Sequence, residues 1–311
     1  MPGFLTHYTF GNIVLKSLND GYMKECINKN IKVYNLGLQG PDIFLYFIPY
    51  KINKKINLGS IMHRNKTKEF FLNSVDKIIN CKDETEREIM IAYICGFYGH
   101  FSLDKNCHPY IFYKSEYLYT NRNYNEKHIK LESDIDYIYA RNISRRKDIN
   151  INYRSLVEIN KKQRKIVATL ISKVCNKLFS KIWLNQTIAE CSILSFGYVT
   201  NFFNDRTGKR YQYISKIEKT ITGHENISSL FNGNYHKIKY HDAMNLFHKE
   251  WINPWKKDEK KNLSFYDLTE LAVKELVEFI RITELCINER KDKLLKEYLK
   301  NYSYITGLEI K

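Results

Sequence analysis

The segment from Gly99 to Pro109 places His100, Asp104 and His108 at four-residue intervals in an otherwise apolar stretch. On an α-helix, each four-residue step turns a side chain only about 40° from the previous one, so these three groups would share one face. Imidazole and carboxylate groups are common ligands of divalent metal ions. The spacing therefore predicts a metal site on a helix.

Further potential ligands lie on both sides of this segment. His128 and Glu132 repeat the four-residue interval in the run His-Ile-Lys-Leu-Glu, and His7, Asp42 and His63 lie upstream. None of the implied ligands needs to be a thiolate. Nitrogen and carboxylate ligation suits zinc in a catalytic site, although ligand type alone leaves manganese and iron open.

The eight candidates exceed what one four-coordinate zinc can use, so their number predicts at least two ions. Adjacent metal ions serve phosphodiester hydrolysis, because they generate a hydroxide nucleophile near neutral pH and hold both the attacked oxygens and the leaving oxygen. The sequence therefore predicts metal-assisted phosphodiester cleavage.

Three of these residues have a simpler interpretation when each is taken alone. Gly-Pro-Asp is ordinary turn chemistry, so Asp42 by itself indicates a turn. His7 and His63 by themselves would more often be surface histidines than ligands. Only the combined pattern favours a metal site for all three.

The order of the motifs resembles the zinc-dependent phospholipase C family over about the first 135 residues. The motifs that carry the resemblance are Thr6-His7-Tyr8, Gly40-Pro41-Asp42, Met62-His63, the segment from Gly99 to Asp104, Cys107-His108-Pro109-Tyr110, and the pair His128 and Glu132.

The resemblance implies two or three zinc ions and a role for each candidate. The implied ligand sets are Asp42, His63, His100 and Asp104 for one zinc, His108, His128 and Glu132 for a second, and His7 for a third ion bridged by Asp104. A water between the metals would be the nucleophile, and Asp42 is also the candidate general base. The choline-cleaving members carry aromatic residues where this chain has Ile43 and Ser60, so choline specificity is not implied.

Three functions follow as alternatives. The first is a phospholipase C that releases a phosphorylated head group and diacylglycerol. The second is a zinc-dependent nuclease or nucleotide phosphoesterase, since the related helical trinuclear-zinc nucleases share this arrangement of ligands. The third is a non-catalytic, membrane-associated protein in which metal ions only hold the helices together.

Composition favours an all-α helical bundle, and facing helices of such a bundle can build the multinuclear metal site that the ligand motifs imply. The 311 residues are 43% hydrophobic and include only 13 glycines and 5 prolines, and helix-period apolar runs recur. We expect a single catalytic domain over residues 1–311, with the metal-site motifs in 1–135 and additional helices in 136–311.

Several elements can be placed from local patterns. Helices are predicted at Phe10–Ile27, Lys66–Ile79, Glu86–Cys107, along the apolar stripe from Val167 to Trp183, and from the Ser264/Asp267 capping box towards Lys300. Loops are predicted at Gly37–Asp42 and Lys114–Asn125, and Trp251–Trp255 is expected to end a helix and close one wall of the site.

The net charge of +16, from 50 basic and 34 acidic residues, can attract an anionic membrane surface or nucleic acid without identifying the substrate. No obligate protein partner is inferred. The seven cysteines lack the spacing of a disulfide framework. We find neither a signal-peptide pattern nor a run of about 18 apolar residues, so we expect a cytoplasmic protein.

Overall fold

The computed structural model describes residues 3–47, 57–117, 124–144, 151–179, 182, 184–205, 207–225, 227–231, 238, 240–290 and 292–310. The helices in these ranges are α1 (Phe4–Ser17), α2 (Tyr22–Lys29), α3 (Ile31–Gly37), α4 (Asp42–Leu45), α5 (Leu58–Met62), α6 (Thr67–Ile79), α7 (Glu84–Lys114), α8 (Tyr124–Ser144), α9 (Tyr153–Val157), α10 (Lys161–Leu178), α11 (Gln186–Phe203), α12 (Lys209–Thr222), α13 (Phe265–Glu289) and α14 (Asp292–Tyr298). A 3₁₀ turn covers Ser228–Leu230, and the strands β1 (Trp251–Asn253) and β2 (Lys256–Lys261) pair as an antiparallel hairpin. The predicted all-α class is confirmed.

The 31-residue helix α7 is the central element of the fold. It begins where the Asp83 carboxylate accepts a hydrogen bond from the Glu86 amide at 2.9 Å, which satisfies one free N–H of the first turn. From Ile89 to Ile111 almost every residue is buried, so the helix is enclosed on all sides. Its three candidate ligands are consequently shielded from bulk water.

Helix α7 continues past the predicted end at Cys107, through Pro109, to Lys114. A proline inside a helix leaves the carbonyl four residues earlier without its usual amide partner, here that of Lys105. The backbone of Gly307 packs at this point, close enough that a Cβ there would lie 2.6 Å from the Lys105 oxygen. The C-terminal segment thus covers the irregular turn of α7.

Helix α3 lies against α7 with backbone touching backbone. An added Cβ at Gly37 would lie 2.3 Å from the Tyr93 carbonyl oxygen, and one at Gly96 would lie 2.2 Å from that of Tyr34. Only glycine allows this close approach. This contact positions the turn that follows α3. Asp42, at the end of that turn, therefore lies near the face of α7 that carries His100.

One cluster of buried apolar residues runs through both halves of the chain. It includes Phe10 on α1, Phe97 on α7, Phe196 on α11, Phe279 on α13 and Tyr304 near the C-terminus. The helices after residue 136 therefore pack on the same core as the helices that carry the motifs.

Several predicted elements are confirmed with shifted bounds. The capping box at Ser264 and Asp267 is present, but α13 ends at Glu289, where Arg290 takes a left-handed φ of 55° and α14 begins two residues later. The predicted loop at Gly37–Asp42 is present as a turn. In the predicted loop at Lys114–Asn125, α7 ends at Lys114 and α8 begins at Tyr124, while 118–123 lie outside the described residues.

Three predictions on helices need correction. The single helix Phe10–Ile27 is instead α1 and α2, separated at Asn19-Asp20-Gly21, which is a turn-forming sequence. The apolar stripe predicted from Val167 to Trp183 lies on helix α10 only as far as Leu178, where the helix ends. Trp183 lies outside the described residues.

The third correction concerns the segment Trp251–Trp255, which forms the start of the β hairpin and not the end of a helix. Trp251 is buried, and its indole N–H donates to the Leu263 carbonyl at 3.0 Å. This bond fixes the tryptophan at the base of the hairpin. Among the described residues, no helix is long and apolar enough to cross a membrane.

Candidate metal centre

The candidate ligands on α7 have the arrangement that their spacing predicts. His100, Asp104 and His108 are all buried, and Asp104 lies between the two imidazoles. Its Oδ2 atom is 3.0 Å from Nε2 of His100 and 3.8 Å from Nδ1 of His108. A buried carboxylate between two histidines can accept a cation or bridge two of them.

The first cluster joins α7 to α1. His7 Nε2 lies 3.3 Å from Oδ1 of Asp104, and the imidazole ring of His7 stacks on that of His100 with a centroid distance of 4.3 Å. His7, His100 and Asp104 each offer a ligand atom within 4.8 Å of the others. His7, which local sequence alone would not identify as a ligand, thus lies beside the motif that carries His100 and Asp104.

Helix α8 holds His7 in place through the start of α1. The buried carboxylate of Asp136 accepts hydrogen bonds from the amides of Leu5 at 3.3 Å and Thr6 at 2.5 Å. A negative side chain at a helix N-terminus pairs with its free N–H groups and with the positive end of its dipole. Asp136 therefore positions the first turn of α1.

The second cluster brings Asp42 and His63 to the same side of α7. His63 Nε2 lies 3.4 Å from Oδ1 of Asp42, 3.6 Å from Oδ2 of Asp104 and 3.5 Å from Nε2 of His100. Asp42 is in the first turn of α4, and His63 directly follows α5. Ligands bound at about 2.1 Å in tetrahedral geometry lie roughly 3.4 Å apart, so these separations suit a single ion.

A glycine makes room for this cluster. Gly40 has a φ of +51°, and a Cβ there would lie 2.4 Å from the His100 ring. The first residue of the Gly-Pro-Asp motif is thus required both by its backbone conformation and by its contact with a candidate ligand.

The third cluster connects α7 with α8. His128 Nε2 lies 2.8 Å from Oε1 of Glu132, and His108 Nε2 lies 3.9 Å from the same oxygen. His128 and Glu132 are one helical turn apart, as their spacing predicts. The structure therefore brings all eight predicted residues together around Asp104 and its neighbours.

Backbone carbonyls orient three of the imidazoles. The carbonyl oxygens of Gly59, Leu38 and Tyr304 lie 2.6, 3.2 and 2.7 Å from the Nδ1 atoms of His63, His100 and His108, respectively. An Nδ1–H that donates to a carbonyl leaves the Nε2 lone pair for a metal ion, which is a common arrangement around ligating histidines. Sequence reasoning missed these carbonyls, because a backbone oxygen has no residue-type signature.

Several buried polar atoms of the centre have no hydrogen-bond partner among the described residues. These atoms are both ring nitrogens of His7, Oδ1 of Asp42, both carboxylate oxygens of Asp104 and Nε2 of His108. Buried polar atoms are normally paired, because leaving one unsatisfied costs about 1 to 3 kcal/mol. Divalent cations would satisfy the carboxylate oxygens, Nε2 of His108 and one ring nitrogen of His7, so the residues fit bound zinc.

Burial keeps most of the imidazoles neutral. It lowers the pKa of His7 to about 4 and the pKa of His108 to about 3. Burial also holds the pKa of His128 well below its usual range. These rings therefore carry free lone pairs near neutral pH, as metal ligation requires.

His63 and Asp104 form a charged pair when no cation is bound. Burial disfavours the protonated His63, but the neighbouring carboxylates of Asp104 and Asp42 outweigh it and raise the pKa of His63 to about 9. Burial disfavours the ionised Asp104, but the surrounding histidines hold the pKa of its carboxyl well below the usual range. The centre thus already favours positive charge next to Asp104.

A cavity of about 280 Å³ opens beside the clusters. Asp42, His128 and Glu132 lie in its wall together with Gln39, whose buried Nε2 has no hydrogen-bond partner among the described residues. The apolar part of the wall consists of Phe4, Tyr46, Ile129, Tyr153, Phe196, Phe203 and Leu230. A substrate bound there would reach the candidate metal ligands from an apolar cleft.

Most residues of this wall could not be recognised from local sequence patterns. Phe196 and Phe203 lie on α11, far along the chain from the motifs, and they read as ordinary core residues. Cys107 is buried and lies in none of the three clusters.

The comparisons with known proteins agree with this geometry. The model of the family described as zinc dependent phospholipase C matches residues 6–195, which is more than half of the chain. The matched range contains all eight candidate ligands. Neither the curated proteins nor the solved structures include a match to the chain. Because this family model matches more than half of the chain, the chain belongs to the zinc-dependent phospholipase C family.

Proposed function

We propose that this protein is a zinc-dependent phospholipase C that hydrolyses a phospholipid to diacylglycerol and a phosphorylated head group. The family match supports a hydrolase of the phospholipase C type. One observation carries the proposal. Two of the ligand clusters share His100, the third adjoins Asp104 through His108, and all three lie beside an open, partly apolar cleft. In this proposal the whole chain acts as one catalytic domain.

We assign the candidate ligands to two or three zinc ions. One set is Asp42, His63, His100 and Asp104, a second is His108, His128 and Glu132, and His7 with a bridging Asp104 would hold a third ion. The clustering and the unpaired buried atoms support these sets. When bound, the zinc ions supply stabilisation of the negative charge on the phosphodiester.

Asp42 is the residue we propose as general base. Asp42 and Glu132 are the carboxylates that lie both in a ligand cluster and in the wall of the cleft, and the family resemblance gives the role of base to Asp42. There it can accept the proton of a water that attacks phosphorus, while the bond from phosphorus to the diacylglycerol oxygen breaks and that oxygen takes up a proton.

Gln39 is the residue we propose as a donor to the substrate phosphate. Its side-chain amide is buried in the cleft wall three residues before Asp42, and Nε2 has no hydrogen-bond partner among the described residues. A phosphoryl oxygen in the cleft would accept from this N–H and remove the cost of leaving it unpaired.

Turnover of defined substrates tests the proposal. Zinc-loaded protein is assayed with phospholipid vesicles, single-stranded DNA and a simple phosphate ester, with and without a chelator. We expect lipid turnover that the chelator abolishes. An Asp42→Asn variant should lose at least about a hundredfold in turnover, while zinc content shows whether the site remains loaded.

The control is Asp258→Asn, a change of the same type at an exposed position of β2, which should leave turnover unchanged. Turnover of DNA in place of lipid would replace the proposal by the nuclease alternative. Stable zinc binding with no turnover of any substrate would favour the metal-stabilised, non-catalytic alternative.

A further inference from the structure

Helix α12 exposes three large apolar side chains. Tyr213 is 70% exposed and Ile221 is 76% exposed, with Ile217 also exposed between them on the same face. The buried residues of this helix are the polar Ser215 and Glu218. An ordinary surface helix has the opposite arrangement, with the apolar stripe packed against the core.

Specific hydrogen bonds fix α12 in this orientation. The Glu218 carboxylate accepts from the amide of Ile227 at 2.7 Å and from the amide and hydroxyl of Ser228 at 2.9 and 2.8 Å. Ser215 Oγ donates to Glu225 at 2.5 Å. Turning the apolar stripe inward would break these buried bonds, so its exposure is a stable feature of the fold.

A second exposed stripe follows on α11. Leu194, Tyr198 and Phe202 lie at four-residue intervals, and each is more than two-fifths exposed. The guanidinium of Arg210, at the start of α12, lies 5.3 Å from the ring centroid of Phe202. The end of the α11 stripe thus lies beside the first turn of α12. We call the six residues of the two stripes together the exposed apolar face.

The exposed apolar face adjoins the cleft of the candidate metal centre. The opposite side of α11 supplies Phe196 and Phe203 to the cleft wall. Leu230 lies in the same wall, in the 3₁₀ turn that Glu218 of α12 anchors, and Ile227 directly before that turn is exposed. Residues of α11 therefore contribute both to the face and to the cleft wall, and the 3₁₀ turn in that wall is hydrogen-bonded to α12.

Charge favours an anionic occupant. The basic residues of α12 are Lys209, Arg210, Lys216 and Lys219, and the single acidic residue of this helix, Glu218, is buried. Lys219 pairs with Glu225 and Arg210 with Asp205, so Lys209 and Lys216 supply the charge that we assign to the occupant. Exposed apolar and aromatic side chains with flanking lysines are typical of helices that lie in a lipid interface. A second copy of the chain would bring like charges together on this face, in a protein whose net charge is +16.

We infer that the exposed apolar face of α11 and α12 docks on the surface of an anionic phospholipid bilayer and sets the cleft against its lipid substrate. The inference rests on the proposed phospholipase activity, because docking on a bilayer serves an enzyme whose substrate is a lipid. Its binding step can be measured without any catalysis. Most of the face lies after residue 195, beyond the part of the chain that the family match covers.

Vesicle sedimentation tests the inference. Zinc-loaded protein is mixed with vesicles of phosphatidylcholine, with or without phosphatidylglycerol. We expect binding that the anionic lipid strengthens and that added salt weakens. The double variant Ile217→Ser/Ile221→Ser should bind at least about tenfold more weakly, because two aliphatic side chains no longer enter the interface.

The matched control is Leu246→Ser/Phe247→Ser, which changes two exposed apolar residues outside the face and should leave binding unchanged. A second variant, Lys209→Glu/Lys216→Glu, should remove the preference for phosphatidylglycerol. Zinc content and thermal unfolding verify that each variant is folded. Hydrolysis of a monomeric short-chain phospholipid should be the same in all of them.

Equal vesicle binding by the Ile217/Ile221 variant and the unchanged protein would overturn the inference. So would dimerisation that these substitutions abolish, since the face would then be an interface between copies. Binding that follows the expected pattern without lipid turnover would sustain the docking surface and contradict the proposed function. The two proposals can therefore fail separately.

Discussion

The backbone carbonyl of Tyr304 accepts a hydrogen bond from Nδ1 of His108 at 2.7 Å. The amide of the same residue donates to the carbonyl of His63 at 3.0 Å. One residue near the C-terminus thus contacts a member of the second cluster and a member of the third. The last turn of the chain, beyond the range of the family match, helps to fix the geometry of the candidate centre.

We expect Tyr304→Ala to weaken zinc binding by about ten- to a hundredfold, which is the usual cost of losing an outer partner of a ligating histidine. The Tyr304 ring is buried against His63 and Phe101, so its removal would let the backbone carbonyl shift. Zinc affinity is measured by competition with a chelator of known affinity.

The control for this prediction is Tyr304→Phe, which keeps the ring and therefore the position of the carbonyl. It should retain zinc affinity. Equal affinity in the alanine and phenylalanine variants would show that the contact with His108 does not support metal binding.

Gly40→Ala should reduce the number of zinc ions bound per chain. The added methyl group would lie 2.4 Å from the His100 ring, at a backbone φ of +51° that alanine rarely adopts. His100 belongs to two of the three clusters, so its displacement should affect both. Elemental analysis of purified protein gives the stoichiometry.

Gly21→Ala is the matched substitution, because a Cβ at Gly21 meets no atom within 4 Å. It should bind the same amount of zinc as the unchanged protein. Full zinc content in the Gly40 variant would mean that His100 is not a ligand or that the loop can move away from it.

Zinc binding to the cluster of Asp42, His63 and His100 should weaken as the pH falls. The pKa of His63 is raised to about 9 in the metal-free protein, so its ring is protonated at neutral pH and must lose a proton to bind zinc. Affinity at this cluster should therefore rise about tenfold per pH unit up to about pH 9.

The cluster that contains His108 should behave differently over the same range. The pKa of His108, about 3, keeps its ring neutral well below pH 7, so this ring releases no proton when zinc binds. Titration calorimetry in buffers of different ionisation enthalpy counts the protons released. A His63→Asn variant that releases as many protons as the unchanged protein would contradict the assignment of the proton to His63.

The part of the site carried by helix spacing could be predicted from the sequence. His100, Asp104 and His108 share a face because a helix repeats every 3.6 residues, and His128 with Glu132 follow the same rule. Asp42 begins the short helix α4 and His63 follows the short helix α5, where local sequence gives no direction to the side chain. Their placement depends on the contacts of α3 and α4, so only the order of motifs indicated it.

The parts that sequence reasoning missed are those set by tertiary contacts. Nothing around Arg290 marks the end of α13, because the residue is neither glycine nor proline, yet its left-handed conformation ends the helix. The hairpin at Trp251 contains a polar β2 strand without clear alternation. The orientation of α12 depends on the buried Glu218 and its partners, which local periodicity does not reveal.

Gln39→Met should lower kcat/KM for lipid hydrolysis about ten- to a hundredfold, which is the usual worth of a hydrogen bond to a charged group. Methionine has nearly the same length as glutamine but cannot donate to a phosphoryl oxygen, and it removes a buried N–H that lacks a partner among the described residues. The variant should therefore be at least as stable as the unchanged protein, with full zinc content.

The matched change is Gln186→Met on α11, where the side-chain amide donates to Glu190 at 2.9 Å outside the cleft wall, and it should leave kcat/KM unchanged. If Gln39→Met hydrolyses lipid as well as Gln186→Met does, the amide makes no contact with the reacting phosphate, and the cleft must orient the substrate through its apolar wall alone.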